Sequence, residues 1–126
     1  MKALIVDDDS FIRQVLRMIL SELSIEVVHE SFSVKDADIS IKSHQADVVF
    51  LDIMLPDGSG LDLIEPARKA LPNAKILMIS GNATQEKVKE AVDKGASGFI
   101  VKPFNANVVV KNIANALKID LPPEYS

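Results

Sequence analysis

The sequence predicts an α/β fold in which helices cover both faces of one parallel sheet of five strands. Short runs rich in β-branched residues alternate along the chain with longer stretches of helical period, which is typical of repeated βα units. Several of the short runs are continuously apolar, as expected for strands covered on both faces. The 126 residues are 48% hydrophobic and 25% charged, a length and composition that suit a single domain.

Five segments are expected to form strands, because each is rich in apolar and β-branched residues. The second segment is the most polar of the five, so we expect it at an edge of the sheet. The predicted ranges are Ala3 to Asp7, Glu26 to Glu30, Asp47 to Asp52, Lys75 to Ser80 and Gly98 to Lys102.

The first helix has the clearest helical pattern. Apolar residues recur at helical spacing from Ile12 to Leu23, and Ser10 is expected to cap the helix. One face of this helix should therefore pack on the sheet. The second helix, predicted from Val34 to His44, has a weaker apolar face because polar side chains share it.

Proline and glycine mark the bounds of the next two helices. The third helix is expected to begin near Ser59, and Pro66 should either kink it or shift its start. In the fourth, Asn82 and Gln85 have the spacing of a capping box. Gly95 can adopt the left-handed conformation that ends a helix, so we expect the fourth helix to end there.

The fifth helix is expected to run from an Asn105 cap to Leu117. Pro122 and Pro123 then prevent any continuation of the helix. We therefore predict a folded domain over residues 1–119, followed at 120–126 by a free tail or the start of a linker.

The charge and composition exclude several classes of function. A formal net charge of −4 gives no general attraction for nucleic acid or for an anionic membrane. The chain has no cysteine, so it has neither disulfides nor thiolate metal ligands. No apolar run approaches a membrane span, and the first residues turn acidic too soon for a signal peptide. We expect a soluble, cytoplasmic protein.

Chemically useful side chains stand at the ends of four predicted strands. They are Asp7, Asp8 and Asp9 after ALIV, Asp52 at the end of VVFLD, Ser80 after ILMI and Lys102 after FIV. In open parallel sheets ligands bind beyond the carboxyl ends of the strands, where these residues would meet. Acidic oxygens without sulfur or imidazole suit magnesium, which commonly joins one or two carboxylates to a phosphate.

Each of these side chains also has a simpler interpretation. The acids after the first strand are usually a solvated turn or a helix cap, and Asp52 is compatible with an Asx turn. Ser80 before Gly81 and Lys102 before Pro103 are ordinary residues for the end of a strand. Independent turn preferences do not explain why acids, a hydroxyl and an amine share one edge of the sheet. The combination therefore favours a site for phosphate chemistry, in which Asp52 is a candidate nucleophile.

These segments resemble the receiver domains of two-component response regulators, also called CheY-like domains. The match covers nearly the whole chain and follows the family pattern in order and approximate spacing. It includes Asp7-Asp8 after LIV, the segment LDIMLPDGSG around Asp52, Ser80 after ILMI, and Lys102-Pro103-Phe104 after GFIV. The resemblance implies a flavodoxin-like, three-layer α/β/α fold with strand order 2-1-3-4-5.

The resemblance also implies a set of chemical roles. Asp52 would accept a phosphoryl group from a phosphohistidine of a sensor histidine kinase or phosphotransfer protein. Asp8 and Asp52 would bind Mg²⁺ directly, Asp7 would act through the metal or water, and the backbone carbonyl of Met54 would complete the protein ligands. The chain would then be a phosphoacceptor that promotes its own phosphotransfer and autodephosphorylation, and not an enzyme.

Further residues would report or tune the phosphorylated state. By resemblance, Lys102 would pair with the phosphoryl oxygens, Ser80 would hydrogen-bond one of them, and Phe99 would change rotamer as Ser80 moves. From sequence alone, a core aromatic is an equally good interpretation of Phe99. Met54 and Asn82 are expected beside the phosphoryl group, where they would tune its lifetime.

The resemblance implies an output as well. The surface of the fourth helix, fifth strand and fifth helix would change state and control a downstream effector protein or an output domain. Phosphorylation-dependent homodimerisation is left open. The domain itself should bind neither nucleic acid nor membrane.

Other classes of function fit the sequence less well or share the same chemistry. The same chemistry would serve the N-terminal receiver half of a DNA-binding transcriptional regulator, although no helix-turn-helix segment is visible in these residues. A small phosphatase of the haloacid-dehalogenase type would place its nucleophile after the first strand and needs a cap domain. A flavin carrier would need a phosphate-binding loop where this chain has three acids. A purely structural domain would not require the acids, Ser80 and Lys102 to converge.

Overall fold

The structure is a computed structural model and describes residues 1–125. Five parallel strands form the main sheet in the order β2-β1-β3-β4-β5, as predicted, with the polar second strand at one edge. The strands are β1 (Lys2–Val6), β2 (Glu26–Ser31), β3 (Val48–Asp52), β4 (Lys75–Ser80) and β5 (Gly98–Val101). Each strand begins and ends within one residue of its predicted bounds.

Five α-helices cover the two faces of the sheet, which confirms the three-layer fold. They are α1 (Ser10–Glu22), α2 (Val34–Ser43), α3 (Ile64–Ala70), α4 (Gln85–Lys94) and α5 (Ala106–Leu117). Buried residues of α1 and α5 share one apolar cluster, and those of α2, α3 and α4 share the other. Within residues 1–125, none of the helices combines the length and apolarity that crossing a membrane requires.

The central strand β3 shows why the sheet is buried on both sides. Its residues alternate between the faces: Val48 and Phe50 join the cluster of α1 and α5, whereas Val49 and Leu51 join the other cluster. All four are fully buried. Because the carboxyl ends of parallel strands lie at the same edge, this arrangement brings the last residue of β3, Asp52, close to the ends of its neighbours.

A small hairpin after β3 was not predicted. Residues Met54–Leu55 and Gly58–Ser59 pair in antiparallel fashion, and the 3₁₀ turn Gly60–Leu63 follows directly. The α3 helix begins only at Ile64, so Pro66 lies in its first turn, where the missing amide hydrogen is not needed. Of the two predicted effects of Pro66, the shifted start is therefore the one observed.

Two predicted helix caps were wrong by one or two residues. Asp9, and not Ser10, caps α1, since the Asp9 carboxylate accepts a hydrogen bond from the Phe11 amide at 2.9 Å. Thr84, and not Asn82, caps α4 through the Lys87 amide at 3.2 Å. The other predicted helix ends agree closely: Gly95 follows α4 in the left-handed conformation, Asn105 caps α5, and α2 ends at Ser43, with His44 as its C-cap.

The end of the chain is packed against the domain as far as the structure describes it. Ile119, Leu121 and Tyr125 lie partly buried against the cluster of α1 and α5. The Tyr125 hydroxyl donates a hydrogen bond to the Glu22 carboxylate at 3.0 Å. The stretch 120–125 is therefore not free of the domain, although its assignment as a tail or linker stays a prediction. Ser126 lies outside the described residues.

Charged side chains join α1 to the edge strand β2. The Glu30 carboxylate contacts Arg13 Nε at 3.1 Å and Arg17 Nη1 at 2.6 Å. Arg13 and Glu30 are mostly shielded from solvent, so the attraction between them is screened less than in an exposed ion pair.

The close approach of Gly60 to β3 can be tested by mutation. A Cβ atom at position 60 would overlap the backbone oxygen of Asp52. Because backbone and not a flexible side chain is in the way, Gly60→Ala should lower the free energy of unfolding by about 3 kcal/mol or more, measured by urea denaturation. Gly81→Ala is the matched control, since a Cβ there meets nothing within 4 Å. Equal stability of the two variants would contradict this account of Gly60.

Candidate functional site

The polar side chains predicted at the strand ends lie together at one edge of the sheet. Asp7 follows β1 directly, Asp52 ends β3, Ser80 ends β4 and Lys102 follows β5. The Lys102 amide donates to the Ser80 carbonyl at 2.8 Å, which continues the pairing of β4 and β5 by one residue. Parallel pairing thus delivers side chains from four distant parts of the sequence to one place.

The Lys102 ammonium bridges two buried carboxylates. Its Nζ atom lies 2.9 Å from Asp7 Oδ2 and 3.3 Å from Asp52 Oδ2. Asp7 is 0% exposed and Asp52 is 4% exposed. Burial of two like charges is costly unless an opposite charge compensates them, and Lys102 supplies that charge.

Backbone contacts fix Asp7 in the turn between β1 and α1. Asp7 Oδ1 accepts a hydrogen bond from the Asp9 amide at 2.9 Å, and its backbone carbonyl accepts one from Arg13 at 2.7 Å. Asp7 Oδ2 is buried, and within residues 1–125 its contact with Lys102 is an ion pair without the geometry of a hydrogen bond. This oxygen retains lone pairs for a further ligand.

Three carboxylates are close enough to share one metal ion. Asp7, Asp8 and Asp52 each offer an oxygen, and these oxygens lie within 4.8 Å of one another. With Lys102 counted, the site keeps a formal charge of −2. The buried Asp7 Oδ2 and an all-oxygen ligand set both fit a hard divalent cation.

Burial and the contacts with neighbouring charges shift the pKa values of both Asp52 and Lys102. Burial and then the neighbouring Asp7 charge raise the pKa of Asp52 to about 6, against the opposing effect of Lys102. Burial alone would lower the pKa of Lys102, but its contacts with Asp7 and then Asp52 outweigh this and raise the Lys102 pKa. At neutral pH the site therefore holds an ionised Asp52 beside a charged Lys102.

A shallow cleft of about 540 Å³ opens over these groups. Its lining residues come from the end of β3 and from the segments that follow β1, β3, β4 and β5. They are Asp8, Asp9, Asp52, Met54, Gly81, Asn82 and Lys102. The Met54 side chain is 65% exposed at the cleft. The Met54 amide donates to Asp52 Oδ1 at 3.3 Å, so this loop orients the carboxylate.

Ser80 and Phe99 are placed differently from the residues that line the cleft. The Ser80 hydroxyl is buried, accepts a hydrogen bond from the Asn82 amide at 3.0 Å and donates to the Asn82 carbonyl at 3.3 Å. In this conformation it is directed into its own turn. Phe99 is partly buried and packs against the cluster of α2, α3 and α4.

Comparison with known proteins decides the family. A family model of the response regulator receiver domain matches residues 3–114. The chain belongs to this family. Its sequence is 38% identical to chemotaxis protein CheY of Thermotoga maritima over 117 residues, covering 93% of this chain and 98% of that protein. It is 31% identical to the response regulator protein PilR of Pseudomonas aeruginosa, covering 96% of this chain but only 27% of PilR.

Solved structures of response regulators resemble this receiver domain closely. One is the CheX-CheY-BeF3-Mg complex from Borrelia burgdorferi, with 30% identity, a TM-score of 0.85 and coverage of 90% of this chain and 87% of that one. Another is a response regulator from Burkholderia pseudomallei with a phosphorylated aspartic acid and a calcium ion. It shows 25% identity, a TM-score of 0.82 and coverage of 91% and 65%. These matches support the receiver family over the phosphatase and flavin-carrier alternatives.

Sequence reasoning missed two residues of this receiver site, Gly81 and Arg13. Gly81 lines the cleft, as does Asp9, a predicted candidate that also caps α1. Arg13 holds the Asp7 carbonyl from the first turns of α1. The acidic triplet marked Asp9, but no sequence signal marked Arg13, because its partner is a backbone carbonyl six residues earlier.

The raised pKa of Asp52 predicts a pH-dependent cost to stability. Because the pKa of about 6 lies above the ordinary value of 3.8, ionising Asp52 destabilises the metal-free folded state. This cost is absent near pH 4 and complete above about pH 6. In EDTA near pH 8, Asp52→Asn should therefore raise the free energy of unfolding by up to about 3 kcal/mol, and the gain should vanish near pH 4.

Denaturant titrations across this pH range would measure the effect. Asp93→Asn, which removes an exposed carboxylate of α4, serves as the control. A gain from Asp52→Asn that does not depend on pH would refute the electrostatic explanation.

Proposed function

We propose that Asp52 is the phosphoacceptor of this receiver domain and takes a phosphoryl group from a phosphohistidine. One observation carries the proposal: Asp52 is a buried carboxylate at a strand end that contacts Lys102 and lies within a cluster of three acids. Asp52 lines the shallow cleft, so the small exposed part of its side chain faces solvent there. A donor side chain can therefore approach it.

In the proposed step one bond forms and one bond breaks. An Asp52 carboxylate oxygen attacks phosphorus, an O–P bond forms, the N–P bond to the donor imidazole breaks, and the bonding pair stays on that nitrogen. Lys102 would pair with the phosphoryl oxygens, and its distance of 3.3 Å from Asp52 Oδ2 supports that role. The Met54 amide orients the nucleophile through Asp52 Oδ1.

We infer that Mg²⁺ is the cation, bound directly by Asp8 and Asp52, with Asp7 acting through the metal or water. The Met54 backbone carbonyl is the proposed fourth protein ligand. Shallow sites that leave room for metal-bound water suit Mg²⁺ better than closed cages. When bound there, Mg²⁺ neutralises charge on the transferring phosphoryl oxygens.

The proposed switch uses Ser80 and Phe99. The Ser80 hydroxyl, now bonded within its turn, would rotate to donate to a phosphoryl oxygen, and Phe99 would repack beside it. The surface of α4, β5 and α5 would carry the signal to a downstream effector or output domain. Its exposed apolar residues support a docking role: Val92 is 57%, Val101 48% and Val108 40% exposed.

The proposed partners follow from this scheme. A sensor histidine kinase or a phosphotransfer protein supplies the phosphoryl group, and homodimerisation on phosphorylation is one form the output can take. The domain acts as a phosphoacceptor that promotes its own dephosphorylation, and not as an enzyme with a separate substrate. The lack of cysteine supports a cytoplasmic location.

The identity of the output is the second part of the proposal. The identity of 38% to a chemotaxis CheY supports an output through a separate effector protein. The match to PilR supports the alternative of a receiver half within a transcriptional regulator. Both outputs use the same chemistry at Asp52, and neither requires this domain to contact nucleic acid.

Phosphorylation by acetyl phosphate with Mg²⁺ tests the acceptor. The wild-type chain should gain one phosphoryl group, mapped to Asp52 by mass spectrometry, and Asp52→Asn should gain none. Lys102→Ala should slow the reaction by about tenfold or more, because a charge on the transferring group is left unpaired. Lys69→Ala, an exposed lysine of α3, is the control. A phosphoryl group found on any other residue would refute the assignment.

The exposed Met54 side chain predicts an effect on the lifetime of the aspartyl phosphate. A thioether cannot orient an attacking water, whereas an amide or carboxylate can. Met54→Asn and Met54→Glu should each change the dephosphorylation rate by about threefold or more. Met18→Asn makes the same exchange at an exposed site on α1. Decay rates equal to wild type in both Met54 variants would contradict a role of Met54 in setting the lifetime of the aspartyl phosphate.

A further inference from the structure

Asp57 connects the loop after the phosphoacceptor to a helix distant in sequence. Its carboxylate accepts hydrogen bonds from the Val34 amide at 2.7 Å and the Lys35 amide at 3.0 Å. These are the first two residues of α2, whose amides have no partner within the helix. Asp57 therefore caps α2 from a separate segment of the chain.

The helix also has a conventional cap of its own. The Ser33 hydroxyl accepts a hydrogen bond from the Asp36 amide at 3.1 Å. Together Ser33 and Asp57 satisfy the first three amides of α2. The hydrogen bonds from Val34 and then Lys35 lower the pKa of Asp57, as expected for a carboxylate at a helix N-terminus.

The hairpin that contains Asp57 also contacts Asp52. Asp57 lies in the turn of the hairpin, where Met54 pairs with Ser59. The Gly60 amide closes the base of the hairpin by donating to the Ile53 carbonyl at 2.7 Å. The first hairpin strand begins at Met54, whose amide donates to Asp52 Oδ1. The turn that contains Asp57 and the amide that orients Asp52 therefore belong to one hairpin.

The hairpin turn also packs tightly on α2. A Cβ atom built on Gly58 would lie 3.3 Å from Val34 Cγ2. Below the turn, Ile53 and Leu55 belong to the same buried cluster as Ala37 of α2. Apolar packing therefore fixes the distance between the hairpin and α2, whereas the two Asp57 hydrogen bonds fix how the turn is oriented on the helix.

We propose that Asp57 is a positioning residue, which holds the hairpin on α2 so that the backbone of Met54 faces Asp52. The inference rests on the proposed role of Asp52. Asp57 does not line the cleft, so it acts through Met54 and not by contact with the phosphoryl group. Its loss should affect the arrangement of the site more than the stability of α2.

Ser33 provides the matched control for this distinction. Ser33→Ala removes a cap from the same helix but leaves the hairpin contact in place. If Asp57 merely stabilises α2, Asp57→Ala and Ser33→Ala should have the same consequences. Circular dichroism and urea denaturation would establish that both variants fold and how stable they are.

Three measurements then separate the variants. In ¹H–¹⁵N spectra of the metal-free protein, the Met54 amide should shift in Asp57→Ala and remain in place in Ser33→Ala. Titration with Mg²⁺ alone should show about tenfold weaker binding in Asp57→Ala. With acetyl phosphate, the maximal rate should fall about tenfold while the half-saturating concentration stays constant, because Asp57 does not contact the donor.

Asp57→Asn adds a graded readout. An asparagine keeps one accepting oxygen but loses the charge, so it should recover part of the Met54 shift and of the Mg²⁺ affinity. Equal behaviour of Asp57→Ala and Ser33→Ala in all three measurements would overturn the inference. Failure of the wild-type chain to be phosphorylated at Asp52 would instead refute the proposed function, and the Met54 shift and Mg²⁺ affinity would still decide the role of Asp57.

Discussion

Two buried carboxylates, Asp7 and Asp52, share one ammonium group in this domain, and the arrangement of the site depends on that contact. Lys102 lies within 3.3 Å of both acids, but a single positive charge does not balance them together with Asp8. The excess negative charge is what makes the site receptive to a divalent cation. Burial keeps the groups from being screened by solvent, so each charge strongly affects the others.

The sheet accounts for most of what could be predicted. Buried parallel strands are marked by continuous apolar runs, and the residue that ends each run must lie at the same edge as the others. This is why Asp7, Asp52, Ser80 and Lys102 could be grouped from sequence. The strand order itself came from the family resemblance, since apolar runs identify strands but do not say which of them are neighbours.

The local errors have a common cause. The residue types at both positions of each pair, Asp9 and Ser10 or Asn82 and Thr84, are favourable helix caps. The backbone conformation determines which of the two caps the helix, and sequence does not reveal it. In the second case the Ser80 hydroxyl already binds the backbone of Asn82, which leaves Thr84 to begin the helix. Asp57 was overlooked for a different reason: its partners are amides more than twenty residues away, and no local pattern reports such a contact.

The two edges of the sheet limit how this domain can associate. Unpaired strand edges are templates for addition of another strand, with aggregation as the usual result. On β2, Glu26, His29 and Glu30 place ionisable groups along the edge, and Glu30 also attracts the arginines of α1. At the opposite edge β5 is only four residues long. Both features discourage intermolecular strand pairing. Specific association would therefore use the helical faces and loops, and a change of state at the cleft can alter those surfaces.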